Sequence, residues 1–147
     1  MDRFDERILQ ELKKDGRLSN VELAQYIGLS PSATLRRVQE LEKNNTIMGY
    51  RALLNPVKQG IEFLAYVEIG LSDHSTLAQE DFETRINQAT EVVECHNITG
   101  AKEYLLRVET TGLSAYKIFH AEVLGAIKQI NSISTSVVMD SPKDERA

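Results

Sequence analysis

Apolar positions in the first third of the chain recur every three to four places, with charged residues filling the gaps. Phe4, Ile8, Leu9 and Leu12 mark one such stripe, which predicts an amphipathic helix over Asp5 to Lys14, ended near Gly16. Ser19-Asn20-Val21-Glu22 has the form of a capping box, in which the serine hydroxyl accepts from a free backbone N–H and the glutamate reaches back. Leu23, Ala24 and Ile27 give the second helix its buried stripe, and Gly28 stops it. Ser30-Pro31 opens a third helix, with serine as N-cap and proline at the first helical position. Leu35, Val38 and Leu41 are expected to face inward from it.

Beyond residue 60 the period shortens to two. Phe63, Ala65, Val67, Ile69 and Leu71 fall on one face of a strand over 63–72, opposite Leu64, Tyr66, Glu68 and Gly70. A helix carrying Phe82, Ile86 and Ala89 follows, then strands over 92–99 and 104–111 joined tightly at Gly100. A last helix carries Tyr116, Phe119, Val123 and Ile127, a last strand covers 133–140, and the polar tail 141–147 is expected to fray. The order β-α-β-β-α-β is that of a ferredoxin-like fold, with both helices on one sheet face. Leu64, Tyr66 and Val138 on the other face predict association with a second copy of the chain.

Composition is that of an ordinary globular protein, with 41% hydrophobic and 27% charged residues. The net charge of −5 is unevenly spread: 10 Lys and Arg face 8 acids up to residue 60, whereas 7 face 14 beyond it. Such a split suits one domain that meets a polyanion and another that does not. No run approaches the ~18 apolar residues of a membrane span, and the charged start Met1-Asp2-Arg3-Phe4-Asp5 does not read as a signal peptide. One cysteine, Cys95, excludes an internal disulfide framework and a cysteine-based zinc cluster. The expected compartment is the cytoplasm, in association with the nucleoid, and no metal or other cofactor is expected.

Two short helices joined by Gly28-Leu29-Ser30 form a helix-turn-helix, whose second member enters the major groove of double-stranded DNA. The expected outward residues of that helix are Ser32, Ala33, Arg36, Arg37 and Glu40, with Ser32-Ala33-Thr34 at the penetrating tip. Arginine pairs with guanine or phosphate, and hydroxyls suit either target. The candidate DNA contacts are therefore Ser30, Ser32, Ala33, Thr34, Arg36 and Arg37, with Lys43, Arg51 and Lys58 extending the positive surface. On spacing alone, a pair of solvated surface arginines is an equally good reading.

The run from Leu23 to Val38, with Asp5-Glu6-Arg7-Ile8-Leu9 before it, resembles the helix-turn-helix of the leucine-responsive regulatory protein/AsnC family. Ile47-Met48-Gly49-Tyr50-Arg51-Ala52-Leu53-Leu54-Asn55-Pro56 looks like that family's linking strand and hinge, and the resemblance continues to the chain end. It implies an α+β protein, with a winged-type helix-turn-helix and linking strand over 1–60 and a ferredoxin-like effector and dimerisation domain over 61–147. It also implies a homodimer, often assembled into a ring of dimers, and a small effector, commonly an amino acid, bound between neighbouring dimers.

The segment matching the family's effector loop runs from Cys95 to Leu106. Ile98, Thr99, Gly100, Glu103 and Tyr104 are the candidate effector contacts, Gly100 because a glycine lets backbone N–H groups approach a carboxylate. Ala101 and Lys102 depart from the family pattern, in which an acid commonly follows the glycine; Glu103 is the available substitute. Gly100 is read equally well as a simple hairpin turn.

Enzyme chemistry finds no footing. Cys95 and His96 are consecutive on a strand and point to opposite faces, so they cannot form a dyad. His74 and His120 lack ligand-spaced companions, and no phosphate-binding glycine loop or nucleophile elbow occurs. Three binding readings remain: a sequence-specific transcriptional regulator, a nucleoid-organising DNA binder of modest preference, and an amino-acid sensing module without DNA readout.

Overall fold

The computed structural model describes residues 1–146. They divide into two compact units, Met1–Leu53 with the chain end from Glu145, and Leu54–Asp144.

The first unit holds three helices: α1 (Arg3–Lys14), α2 (Asn20–Ile27) and α3 (Pro31–Lys43). Each begins at a side chain that satisfies backbone donors left over by helix geometry. Asp2 accepts from the N–H groups of Phe4 and Asp5 while Asp5 reaches back to Asp2, so α1 starts earlier than the apolar stripe alone suggests. Ser19 and Glu22 complete the expected box on α2, and Ser30 caps α3 at the Ala33 N–H. Gly28 ends α2 at φ 77°, a left-handed conformation that costs glycine nothing and lets the chain turn into α3.

Ile8, Leu23, Ile27, Val38 and Leu41 form the core, with Leu9, Leu12, Leu18, Leu29 and Ile47 at its edge. Leu35 departs from expectation, being 39% exposed, and Thr34 is fully buried in its place. The reason is geometric. Thr34, Val38 and Leu41 follow the i, i+4, i+7 stripe of a 3.6-residue helix, whereas Leu35 sits about 100° round from Thr34.

Residues 48–55, where the linking strand is expected, carry no regular structure within the single chain. A strand needs a neighbour for its backbone groups, and among the described residues the four strands of the sheet given below do not include this segment. Tyr50 ties this segment back to α3 by donating to Glu42 at 2.9 Å. Asn55 then accepts from Val57 and Lys58, starting a single 3-10 turn over Val57–Gln59.

The second unit contains β1 (Phe63–Leu71), α4 (Thr76–Asn87), β2 (Val92–Asn97), β3 (Tyr104–Thr110), α5 (Leu113–Phe119) and β4 (Ile130–Val137). The sheet order is β2-β3-β1-β4, antiparallel throughout, which is the ferredoxin-like arrangement. Ala65 lies opposite Val108, Val67 opposite Leu106 and Ile69 opposite Tyr104, so the alternating residues of β1 and β3 share one buried face. Phe82 and Ile86 from α4 and Tyr116 and Phe119 from α5 pack on it, with Phe82 against Tyr104 at 4.5 Å and Phe63 against Tyr116 at 5.0 Å between ring centroids.

Two boundaries differ from the periodicity. α5 passes into one π turn over His120–Leu124, and β4 starts at Ile130, paired with Leu71 beyond a bulge at Gly70. The tail beyond β4 is irregular, yet Asp144 is anchored by Arg107 rather than frayed; residue 147 of the expected tail lies outside the described residues. Among the described residues no helix is long and apolar enough to cross a membrane.

Candidate functional site

Ser30, Ser32 and Arg36 are exposed at the start and on the outer side of α3, with Ala33 half-buried between them. The Ser30 hydroxyl accepts the Ala33 N–H at 3.2 Å and lies 3.3 Å from the Ser32 hydroxyl. Pro31 has no N–H, so the N–H of Ser32 is the donor that this cap leaves pointing along the helix axis. Arg36 makes no ion pair among the described residues. Together these groups present two hydroxyls, a helix N-terminus and a free guanidinium, a set suited to base edges and phosphate oxygens.

Two of the expected contacts behave otherwise. Thr34 is 0% exposed, and its hydroxyl donates to the Ser30 carbonyl at 2.9 Å, so it belongs to the core rather than to the tip. Arg37 is engaged within the unit. Its Nη1 donates to both carboxylate oxygens of Asp2 at 2.9 Å and to Asp5 at 3.1 Å, and its Cζ lies 5.2 Å from the Phe4 ring centroid. The Asp5 N–H and then this guanidinium hold the Asp2 carboxyl below its usual range, and the same carboxylates push Arg37 up. The sequence signal for this contact was present in Asp2 and Asp5, but they lie more than thirty residues from Arg37 and only the packing of α1 on α3 joins them. Lys43 is exposed near the end of α3.

In the second unit, the loop between β2 and β3 is a closed turn. The Ile98 N–H and the Asn97 side-chain amide both donate to the Glu103 carbonyl, at 2.9 and 3.1 Å. Gly100 adopts φ 115°, which a side chain would strain, and Thr99, Gly100 and Ala101 are exposed at its tip. Glu103 is committed elsewhere: Oε2 accepts the Leu71 N–H at 2.8 Å and Oε1 lies 2.8 Å from His74 Nδ1. It does not stand free to meet an amino group. Tyr104 is 1% exposed against Phe82, and burial followed by Glu83 pushes its hydroxyl up to about 12; it packs the core instead of lining the loop. Lys102, which the sequence marked only as a departure from the family pattern, has its Nζ donating to the Ser132 hydroxyl at 2.8 Å.

The helix-free face of the sheet is more polar than Leu64, Tyr66 and Val138 suggest. Arg107, 4% exposed, sits at its centre with its guanidinium on the Tyr66 hydroxyl and near Glu94, Glu109 and Asp144 at 3.6, 3.6 and 3.4 Å. Alternation alone places Arg107 on this face; its burial comes from the carboxylates gathered around it. On β2, Cys95 lies opposite Leu106 toward the core and His96 opposite Leu105 on the open face, so the two are separated as the alternation requires. Burial, and then Glu83, push the Cys95 thiol up to about 11, which leaves it a poor nucleophile. No cluster among the described residues could hold a metal ion.

A helix-turn-helix head is a DNA-binding module, here carried on the same chain as a separate ferredoxin-like domain. Residues 1–48 match the family model described as winged helix-turn-helix DNA-binding, and residues 64–147 match the Lrp/AsnC ligand binding domain. The chain belongs to the Lrp/AsnC family of transcriptional regulators. It is 42% identical over 143 residues to the leucine-responsive regulatory protein of Escherichia coli (strain K12), covering 97% of this chain and 87% of that one. It is 39% identical over 144 residues to the proline dehydrogenase transcriptional activator of Rhizobium radiobacter, covering 98% and 92%. Among solved structures, a transcriptional regulator from Neisseria meningitidis in complex with L-Met superimposes with a TM-score of 0.94 at 33% identity, covering 98% of this chain and 93% of that one. The protein is accordingly a DNA-binding transcriptional regulator with a ligand-binding domain, and its relatives are regulators rather than enzymes.

Proposed function

We propose that α3 reads double-stranded DNA through Ser30, Ser32, Ala33 and Arg36, and that an amino acid bound at the β2–β3 loop modulates this reading. The observation that carries the proposal is the exposed tip of α3, where two hydroxyls and an unpaired guanidinium stand clear of the core. A bidentate arginine contact is worth about 1–3 kcal/mol of discrimination. Arg36→Ala should therefore weaken binding to the chain's own upstream region by roughly 5- to 150-fold in a gel-shift titration. Unchanged binding would overturn the assignment of the face.

One such head binds weakly, and pairing supplies specificity by setting two heads on half-sites a helical turn or a multiple of it apart. The partner is a second copy, and higher assemblies of dimers follow. Support comes from apolar side chains left open in the linking segment, Met48 at 91%, Leu53 at 94% and Val57 at 66% exposure, and from Leu64 and Val138 on the helix-free sheet face. The functional boundary falls at residues 60/61, after the 3-10 turn, and the site of action is the cytoplasm at the nucleoid.

For the effector, one relative is named for leucine and another was solved with L-Met. An α-carboxylate suits Lys102 and the N–H groups around Gly100, while Ile98 and Thr99 border the same turn. Melting curves with each of the twenty amino acids are the check; a rise with any of them supports the reading, and none at all counts against it.

A further inference from the structure

We infer that Asp2 and Asp5 form an acidic clamp that withholds Arg37 from DNA phosphates and so lowers the affinity and salt dependence that all DNA sequences share. The inference rests on α3 being the reading helix. Arg36 and Arg37 are adjacent in sequence and alike in chemistry, yet only Arg36 is open; Arg37 has its guanidinium on two carboxylates and its Cζ over the Phe4 ring. A lone surface ion pair is easily exchanged for water or phosphate. This one is not alone. Asp2 is already fixed by the Phe4 and Asp5 N–H groups as the cap of α1, and Asp5 is fixed by its bond to the Asp2 N–H, so neither carboxylate gives up much freedom in holding Arg37. Two carboxylates on one guanidinium also more than neutralise it, so Arg37 as held has little charge left to draw a phosphate.

The consequence is for sequence-independent binding and its dependence on salt. Binding to non-operator DNA is almost wholly a matter of phosphates neutralised, and each one contributes about −0.9 to the dependence of log affinity on log salt. An arginine kept off the backbone removes affinity that every sequence shares, so the head holds non-operator DNA less tightly while the ratio of operator to non-operator binding stays with Ser32 and Arg36.

The test uses the full chain on operator and scrambled duplexes over a range of salt. Asp2→Asn with Asp5→Asn keeps side-chain acceptors for the helix cap while removing the charge, and a melting curve establishes that the variant is folded. Freed Arg37 should steepen the salt dependence by about one unit per head, equivalent to about a 3- to 4-fold greater loss between 50 and 200 mM salt. Operator and scrambled DNA should gain affinity by about the same factor. Arg37→Ala in the unaltered chain should leave the salt dependence unchanged, and adding Arg37→Ala to the Asn pair should restore it. An unchanged slope in the Asn pair overturns the clamp. So does a slope about one unit shallower in Arg37→Ala alone, which would place Arg37 on a phosphate. Should the Asn pair not fold, Arg37→Ala alone decides between those slopes. Arg36→Ala, run alongside, separates the two ideas: if it too binds as before, α3 is not the reading helix, and if it fails while the slopes stand still, only the clamp is wrong.

Discussion

The Tyr50 hydroxyl donates to the Glu42 carboxylate at 2.9 Å, closing the irregular segment after α3 back onto that helix. The ring also lies 3.6 Å from where a side chain on Gly16 would begin, so Tyr50 bridges the α1–α2 turn and the last turn of α3. Burial, then the hydrogen bond to Glu42, push the phenol up to about 12. A folded-state value above that of the unfolded chain means the contribution is complete below pH ~10 and disappears as pH rises toward 12. Tyr50→Phe should cost about 0.5–1 kcal/mol at neutral pH, the side chain being half exposed, and the gap between the two proteins in urea midpoints should narrow above pH ~10.

Thr34 gives a contrast between stability and recognition. Thr34→Val keeps the volume and removes a buried donor to the Ser30 carbonyl, a carbonyl that still accepts the residue 34 N–H. The expected cost is about 0.5–1.5 kcal/mol of unfolding free energy, with DNA affinity and its salt dependence unaltered. A selective loss of operator binding at unchanged stability would show that the hydroxyl reaches DNA after all.

Arg107 is the charge on which the helix-free face of the sheet depends. Arg107→Ala removes a buried guanidinium and its bond to Tyr66 from beside Glu94, Glu109 and Asp144, whose side chains keep 15–35% exposure, so the expected cost is about 1–3 kcal/mol. Calorimetry should show the melting transition of the second unit falling, with that of the first unit unmoved. Arg107→Lys keeps the charge but not the fork of donors, and should lie between the two.

Gly70 tests the link between the sheet edge and the loop. A β-carbon there would stand 2.3 Å from the Ser132 hydroxyl oxygen and 3.0 Å from Asn131, so Gly70→Ala must displace the side chain that holds Lys102. We expect about 1–3 kcal/mol of destabilisation and a smaller melting shift with any effector amino acid that the unaltered protein recognises. An undiminished shift would separate Lys102 from the effector site.

The caps and turns of the first unit were legible because each is local: Ser19 with Glu22, Ser30 with Pro31, and Gly28 act within four residues of themselves. The β1 and β3 faces were legible because alternation has only two phases. What escaped was set by contacts distant in sequence. Leu35 and Thr34 exchange places because a short apolar stripe fits two helical phases, and only packing against α1 and α2 chooses between them. Arg37 reads as a surface arginine until α1 brings Asp2 and Asp5 beside it, and Glu103 reads as available until β1 supplies the Leu71 N–H. Local chemistry announced which residues were polar, and tertiary contacts decided which remained unoccupied.

The burial of Thr34 bears on any effort to reprogramme the operator preference. In sequence, Ser32, Ala33 and Thr34 look like three interchangeable letters at the head of a reading helix. Ser32 is exposed and can be rewritten freely, and Ala33, half-buried, takes small residues; Thr34 is part of the floor on which the helix rests, and randomising it would fill a library with destabilised heads. On the reading face proposed above, the usable alphabet for new specificity is Ser32, Ala33 and Arg36, a short one for which every combination can be built and screened.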